Sequence, residues 1–143
     1  MSNQEASKDN VIDTKNPSWR SELKKQISGK DRTSLGRVKM SELPPDVRNK
    51  NYEEVNRGLT LTEAMQEAKR CLDCPNPGCV QGCPVGIDIP SFIKRIEVGQ
   101  ILDAAKVLKE TSALPAVCGR VCPQEKQCEA LCIHKKMKKE PVA

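Results

Sequence analysis

Aromatic side chains are almost missing from this chain of 143 residues, which contains one Trp, one Tyr and one Phe. Hydrophobic residues make up 37% of the chain and charged residues 30%. Such a composition predicts a thin apolar core, so the chain either gains stability from bound metal or is disordered in part. The single histidine, His134, follows the last cysteine, and we expect it to be an exposed residue on a basic turn rather than a ligand.

Long apolar runs are missing as well. No run approaches the roughly 20 residues that a membrane span needs, and the N-terminal residues are polar, without the hydrophobic stretch of a secretory signal. The sequence therefore predicts a cytoplasmic protein without membrane contact. Thiols stay reduced in that compartment, so clustered cysteines favour metal binding over disulfides.

The charge pattern argues against nucleic-acid binding. The net charge is +5, but 24 basic residues are mixed with 19 acidic ones along most of the chain. A nucleic-acid-binding surface needs a basic face with aromatic residues between the charges, and this sequence offers neither. The exception is the basic end at 135–139, which reads either as a solvated helix end or as a positive collar near a negatively charged centre.

The chain divides into two parts. We predict a flexible, partly disordered tail over residues 1–36 and an all-α domain over residues 37–143, because no stretch shows the alternation typical of a strand. Within the tail, Trp19, Leu23 and Ile27 recur at four-residue spacing. This weak helical pattern leaves a docking helix open as the alternative to a mobile segment.

Local signals predict where several helices begin. Pro45 fits a first helical turn, and Thr60 and Glu63 have the spacing of a capping box. Asp88 is a candidate N-cap with Pro90 in the first turn after it.

Further along the chain, the pattern predicts one amphipathic helix, one loop and one short helix. The amphipathic helix, at about residues 100–111, has Ile101, Leu102, Ala105 and Leu108 as its apolar residues. Residues 112–123 read as a loop, and residues 124–136 read as the short helix.

Eight cysteines stand in two blocks of four. The first block has the pattern C-x2-C-x4-C-x3-C-P and the second has the pattern C-x3-C-P-x4-C-x3-C. Together they consist of Cys71, Cys74, Cys79, Cys83, Cys118, Cys122, Cys128 and Cys132. Two sets of four thiols match the ligand count of two tetrahedral zinc ions or of two cubane iron–sulfur clusters.

The spacing favours iron–sulfur clusters over zinc. A zinc knuckle would need a histidine ligand and stacking aromatics, which the first block lacks. In two-cluster ferredoxins the cysteine before proline serves the other cluster, and Cys83 precedes Pro84. We therefore expect the other three cysteines of the first block to hold one cluster and Cys83 to cross to a second. A zinc-stabilised protein or nucleic-acid interaction module remains the alternative.

Two stretches carry a family resemblance. The segments RCLDCPNPGCVQGCPVGIDIPSFIK and LPAVCGRVCPQEKQCEALC resemble the N-terminal 4Fe–4S domain of the NADPH-dependent glutamate synthase small (β) subunit family, which dihydropyrimidine dehydrogenase shares. The resemblance covers residues 37–143. It implies an α-helical ferredoxin module with two [4Fe–4S] clusters. Such a module would pass single electrons between the FAD of its own subunit and a partner redox centre, such as the glutamate synthase large subunit.

The resemblance also implies an interleaved ligand set. One cluster would be held by Cys71, Cys74, Cys79 and Cys132, and the other by Cys83, Cys122 and Cys128. The fourth ligand of the second cluster is expected beyond Ala143, with Cys118 as a possible substitute.

The chain lacks the G-x-G-x-x-G pattern of a dinucleotide-binding fold. FAD and NADPH are therefore expected in a C-terminal part outside these residues. The 143 residues alone are not expected to be catalytic, whereas the full-length protein is expected to be an NADPH-dependent oxidoreductase.

Overall fold

The computed structural model describes residues 18–143, and residues 1–17 lie outside the described residues. Within that range the chain forms short helices: α1 (Ser18–Gln26), α2 (Gly29–Ser34), α3 (Pro45–Arg48), α4 (Leu61–Ala68), α5 (Gly78–Gln81), α6 (Ile89–Glu97), α7 (Ile101–Lys109), α8 (Pro115–Val121), a 3-10 helix (Gln124–Lys126) and α9 (Ile133–Lys136). No strand occurs among residues 18–143, where one isolated bridge pairs Glu42 with Asn56. The all-α prediction is confirmed. None of the helices in the described range is long and apolar enough to cross a membrane.

The predicted helix starts are confirmed where a side chain caps the backbone. The Thr60 hydroxyl accepts from the backbone N–H of Glu63 at 3.3 Å, and the Glu63 carboxylate accepts from the Thr60 N–H at 2.8 Å. Asp88 likewise accepts from the N–H of Ser91 at 3.3 Å at the start of α6. Each cap satisfies a donor that the first helical turn leaves without a partner.

The core is small and centres on α6, which packs against both α4 and α7. Its buried apolar residues are Leu23, Ala68, Ile87, Ile93, Ala104 and Val107. Large charged side chains are buried beside them, with Arg70 and Lys94 at 2% and 1% exposure. The thin core that the composition predicts is therefore completed by ion pairs rather than by aromatic rings.

The N-terminal helices α1 and α2 pack on this body. Leu23 is buried, and Arg32 is buried to 2% exposure with hydrogen bonds that reach α4. Residues 18–36 of the predicted tail contain these two helices, and Arg32 of α2 forms a buried ion pair with Glu97. Residues 1–17 of that tail lie outside the described residues, and the division at residue 36 stays a prediction.

Two secondary-structure predictions were wrong, and one correctly predicted helix buries other residues than expected. The predicted loop at 112–123 contains α8, because Pro115 has a backbone angle that suits a first helical turn. The predicted helix at 124–136 is a 3-10 turn followed by tight turns, with α9 at its end. On α7, Ala104 and Val107 are buried, whereas Ile101 and Leu102 are exposed.

Candidate metal centre

All eight cysteines line one cavity of about 810 Å³. Each is a half-buried free thiol. Apolar side chains such as Leu72, Ile87, Phe92 and Leu108 form much of the remaining wall. Two cysteine blocks that are far apart in sequence therefore face one space, and soft sulfur ligands surrounded by apolar groups suit an iron–sulfur group.

The first cysteine is fixed through its backbone. Cys71 follows α4, and the Nζ of Lys94 donates to the Cys71 carbonyl at 2.6 Å. The same ammonium pairs with Glu97 at 2.6 Å, and Glu97 pairs with Arg32 at 2.9 Å. Because these charged groups are buried and mutually paired, they hold the start of the first block rigidly.

Asp73 shapes the loop between the first two cysteines. Its φ of +52° lies in the left-handed region, which aspartate tolerates better than most residues. The Nε of Arg20 donates to its carboxylate at 2.8 Å, and Lys24 pairs with it at 3.2 Å. Burial alone would raise the pKa of Asp73, but the hydrogen bonds and charges of Arg20 and Lys24 outweigh it and lower the pKa. The carboxylate therefore stays charged beside the thiols.

The two blocks touch at two glycines of the first one. A Cβ added to Gly78 would lie 2.6 Å from the backbone oxygen of Leu131, and one added to Gly82 would lie 2.7 Å from that of Gln127. Any side chain there would collide with the second block. The glycines therefore allow the close approach that brings Cys79 and Cys83 to the second block.

The second block is held by fewer groups. Cys118 lies on α8 with its Sγ 3.8 Å from the hydroxyl of Ser112. Arg37 reaches Glu129, between the last two cysteines, with nitrogen–oxygen distances of 3.0 and 2.7 Å.

Neighbouring cysteines raise one another's pKa values, and these effects fall into two groups. Burial and the neighbouring charges of Cys71 and Cys132 raise the pKa of Cys79 to about 12. Burial also raises the pKa of Cys74, with the charge of Cys132 as the next cause. The last cysteine of the second block therefore lies close to cysteines of the first.

Cys83 acts on the other group. Burial raises the pKa of Cys122 and of Cys128, and the charge of Cys83 adds to it in both. Cys118 also raises the pKa of Cys122, through its charge and a hydrogen bond. The interleaved ligand set that the family resemblance implies stays a prediction.

These raised pKa values bear on what the cavity can hold. Buried thiols near one another resist ionisation, and a bound metal reverses that preference because it supplies positive charge to the thiolates. The donor set therefore fits a metal–sulfur group. Among residues 18–143, no group of three or more His, Cys, Asp or Glu side chains is arranged to hold a single metal ion.

His134 is a correction to the sequence analysis, which expected it to be exposed. It is buried to 1% exposure in the cavity wall, and its Nε2 donates to the backbone oxygen of Arg70 at 3.1 Å. Burial lowers the pKa of His134, so the ring is neutral at pH 7. Its Nδ1 finds no hydrogen-bond partner in the part of the chain that the structure describes.

The charged residues that support the cysteine loops were not predicted from the sequence. Lys94 and Arg32 have partners more than 20 positions away, at Cys71 and at Lys69. Neither residue stands in a recognisable motif. The one local signal was at Lys94, which lies together with Arg95 between Ile93 and Ile96 in a predicted helix.

Comparison with known families decides the class of the site. Residues 48–143 match the family described as dihydropyrimidine dehydrogenase domain II, 4Fe–4S cluster. The chain belongs to this family. It is accordingly an iron–sulfur domain, and the family resemblance seen in the sequence is confirmed.

Several curated relatives of the chain are oxidoreductase subunits by name. The chain is 40% identical over 98 residues to the glutamate synthase [NADPH] small chains of Halomonas elongata and Escherichia coli strain K12. It is 42% identical over 83 residues to the NAD-dependent dihydropyrimidine dehydrogenase subunit PreT of Escherichia coli strain K12. These matches cover 68% and 57% of this chain. They cover 21% and 20% of the relatives, so the chain spans about a fifth of their length.

Proposed function

We propose that this domain carries single electrons through two [4Fe–4S] clusters as part of a glutamate-synthase-type NADPH oxidoreductase. One observation carries the proposal: all eight cysteines of a 4Fe–4S family member line one apolar cavity. A bound [4Fe–4S] cluster exchanges one electron at a time, at a potential that nearby charge, hydrogen bonds and solvent access adjust. A cytoplasmic location, where thiols stay reduced, belongs with this proposal.

The ligands we propose follow the two thiol groups. Cys71, Cys74, Cys79 and Cys132 would hold one cluster. Their mutual effects on the thiol pKa values support this set.

The second set would consist of Cys83, Cys122 and Cys128. Cys118 is the candidate within this chain for the fourth position, because it lines the same cavity and acts on Cys122. The residue expected beyond Ala143 is the alternative to it.

The residues around the cysteines would orient ligands and exclude water. Lys94 fixes the backbone at Cys71, and the glycines of α5 let the two blocks approach. The apolar wall lowers the local dielectric constant, which strengthens every charge interaction with the thiolates.

The wider redox chain is inferred from the relatives. Their names state NADPH-linked and NAD-linked reactions. We propose that the full-length protein binds FAD and NADPH outside residues 1–143. It would exchange electrons with a second redox subunit comparable to a glutamate synthase large subunit.

Anaerobic reconstitution with iron and sulfide tests the proposal. Two clusters require about eight iron and eight sulfide per chain, with a broad absorption band near 400 nm. Cys79→Ala and Cys122→Ala each replace one proposed ligand, one in each set. Each variant should lose about half of the iron and half of the sulfide. A colourless protein that binds zinc would instead establish the zinc-stabilised module.

A Cys118→Ala variant separates the two candidates for the fourth ligand. Unchanged iron content and an unchanged spectrum in the reduced state would remove Cys118 from the ligand set. Loss of about half of the iron and sulfide in this variant, as expected for Cys122→Ala, would establish Cys118 as a ligand.

A further inference from the structure

We propose that Arg20, in the segment ahead of the family-matched region, is a positioning residue that sets the charge around the first cysteine loop. The family match begins at residue 48, whereas Arg20 lies in α1. The inference rests on the proposed function, because it concerns a cluster held by that loop. It assigns a redox role to a part of the chain that the family match does not include.

All three side-chain nitrogens of Arg20 donate hydrogen bonds to the loop or to α6 beside it. Its Nε donates to one carboxylate oxygen of Asp73 at 2.8 Å, and its second terminal nitrogen donates to the other oxygen. Its remaining nitrogen donates to the hydroxyl of Ser91 at 2.8 Å, which ties the loop to α6. The paired carboxylate is 5% exposed, so solvent screens this contact little.

Lys24 supports the same loop one helical turn later. Its Nζ donates to the backbone oxygen of Asp73 at 3.2 Å and pairs with the carboxylate at the same distance. Its side chain is 51% exposed, so its charge is screened more than that of Arg20. The loop carboxylate therefore has one strong and one weak positive partner.

The same N-terminal segment reaches both cysteine blocks. Arg32 donates to the backbone oxygen of Lys69 at 2.7 Å and pairs with Glu97, which connects it to the Lys94 that holds Cys71. Arg37 pairs with Glu129 in the second block. We call these residues, Arg20, Lys24, Arg32 and Arg37, the N-terminal clamp.

The position of Asp73 gives the clamp an electrostatic consequence. This carboxylate lies two residues after Cys71 and one before Cys74. Reduction adds one electron to the centre that these cysteines hold, and a nearby negative charge opposes that addition. The positive charges of Arg20 and Lys24 offset the negative charge of this carboxylate. The net charge at the loop therefore depends on these two residues of the clamp.

Two substitutions should therefore shift the midpoint potential in opposite directions. Arg20→Gln leaves Asp73 without its main partner, and the potential should fall. Asp73→Asn removes the negative charge while Arg20 and Lys24 remain, and the potential should rise. Asparagine tolerates the positive φ of this position, so the backbone is preserved. The double variant should return close to the wild-type value, because removal of both charges leaves the net charge of the pair unchanged.

A merely structural role predicts a different result. If Arg20 and Asp73 only held the loop in shape, either substitution would loosen it and both would affect the cluster alike. Arg20→Lys keeps the charge and should restore most of the wild-type potential. Lys24→Gln should lower the potential less than Arg20→Gln, because its side chain is more exposed.

The test is an anaerobic redox titration of the reconstituted full chain, followed by electron paramagnetic resonance of the reduced state. Arg57→Gln is the control, since Arg57 forms an exposed pair with Glu53 outside the cysteine blocks. Emission of Trp19, which Arg95 covers at 4.6 Å, reports whether α1 remains docked in each variant.

The outcomes separate the inference from the function it rests on. Opposite shifts with return in the double variant establish the inference. Shifts of the same sign, or none, in cluster-loaded variants overturn it while the proposed function stands. If Arg20→Gln fails to retain iron, the paired Lys24→Gln and Asp73→Asn titrations decide in the same way. A wild-type chain that takes up no iron and sulfide overturns both.

Discussion

The two cysteine blocks are held in different ways. Around the first block, Arg70 pairs with Glu67 and Lys94 pairs with Glu97, and all four side chains are at most 3% exposed. Beside the second block, Arg120 and Glu54 form a pair in which both side chains are more than half exposed.

Apolar residues beside the second block are also exposed to solvent. Val117 and Val121 of α8 and its N-cap residue Leu114 are exposed to solvent, although this helix carries Cys118. Buried, paired charges fix a loop before any cofactor is bound, whereas exposed pairs contribute little. We therefore expect the first block to be preorganised and the second to depend more on its cofactor for order.

The largest expected effect on stability comes from a substitution that removes a buried ion pair beside the first block. Arg70→Met leaves Glu67 buried without its partner and frees the backbone oxygens of Glu140 and Pro141, which Arg70 binds at 2.6 and 2.8 Å. Loss of one partner of a buried pair should reduce the free energy of unfolding by about 3–5 kcal/mol. Urea unfolding followed by far-UV circular dichroism measures this.

Arg57→Met is the matched control for that experiment, because its pair with Glu53 is exposed. It should change the free energy of unfolding by less than about 0.5 kcal/mol. Equal losses in the two variants would contradict the contrast between buried and exposed support.

The second largest effect is expected from a substitution at the contact between the two cysteine blocks. Gly78→Ala places a Cβ 2.6 Å from the Leu131 oxygen, so one backbone must move. We expect a loss of about 1–3 kcal/mol, as for other overpacked sites, together with faster release of iron to a chelator. Gly119→Ala is the control, since no atom lies within 4 Å of its added Cβ. Similar iron release from both variants would show that the contact has no role in retention.

A smaller effect concerns the second block. Arg37→Gln removes a bidentate pair with Glu129, whose side chains are 26% and 12% exposed, and should reduce the free energy of unfolding by about 1–2 kcal/mol. Arg120→Gln, next to the same block, should have no measurable effect. Limited proteolysis between Cys118 and Cys132 should be faster in the first variant than in the second. A reversed order would assign the support of this block to α8 instead.

The smallest effect is pH dependent. Hydrogen bonds from the backbone and hydroxyl of Thr60 lower the pKa of Glu63. A lowered folded pKa means that this stabilisation is present above the unfolded pKa of about 4.3 and is lost as pH falls through the folded value. The free energy of unfolding of the cofactor-free chain should therefore fall less steeply with decreasing pH in Glu63→Gln. This variant keeps a side-chain acceptor without the charge. An identical pH profile would count against the cap.

Local rules explain what the sequence predicted correctly. The caps at Thr60 and Asp88 involve residues three positions apart, so a short pattern contains both partners. The cysteine spacing likewise lies within two short blocks, so it could be matched to the iron–sulfur family to which residues 48–143 belong.

Long-range packing explains what the sequence did not predict. Residues 124–132 turn tightly because they meet Gly78 and Gly82, which are about 50 positions away. His134 is buried because its ring reaches the backbone of Arg70, and no pattern around it indicates that contact. The clamp residues are similar, since Arg20 and Arg37 have partners 53 and 92 positions away.

The short helix α5 has a mechanical consequence. It approaches the second block at Leu131, and its C-cap residue Gly82, which precedes Cys83, approaches Gln127. Any displacement of this one turn therefore moves Cys79 and Cys83 together relative to the second block. We expect the assembly of the two sets to be coupled for this reason: in the wild-type chain, filling either set of cysteines aligns the other and should speed its filling.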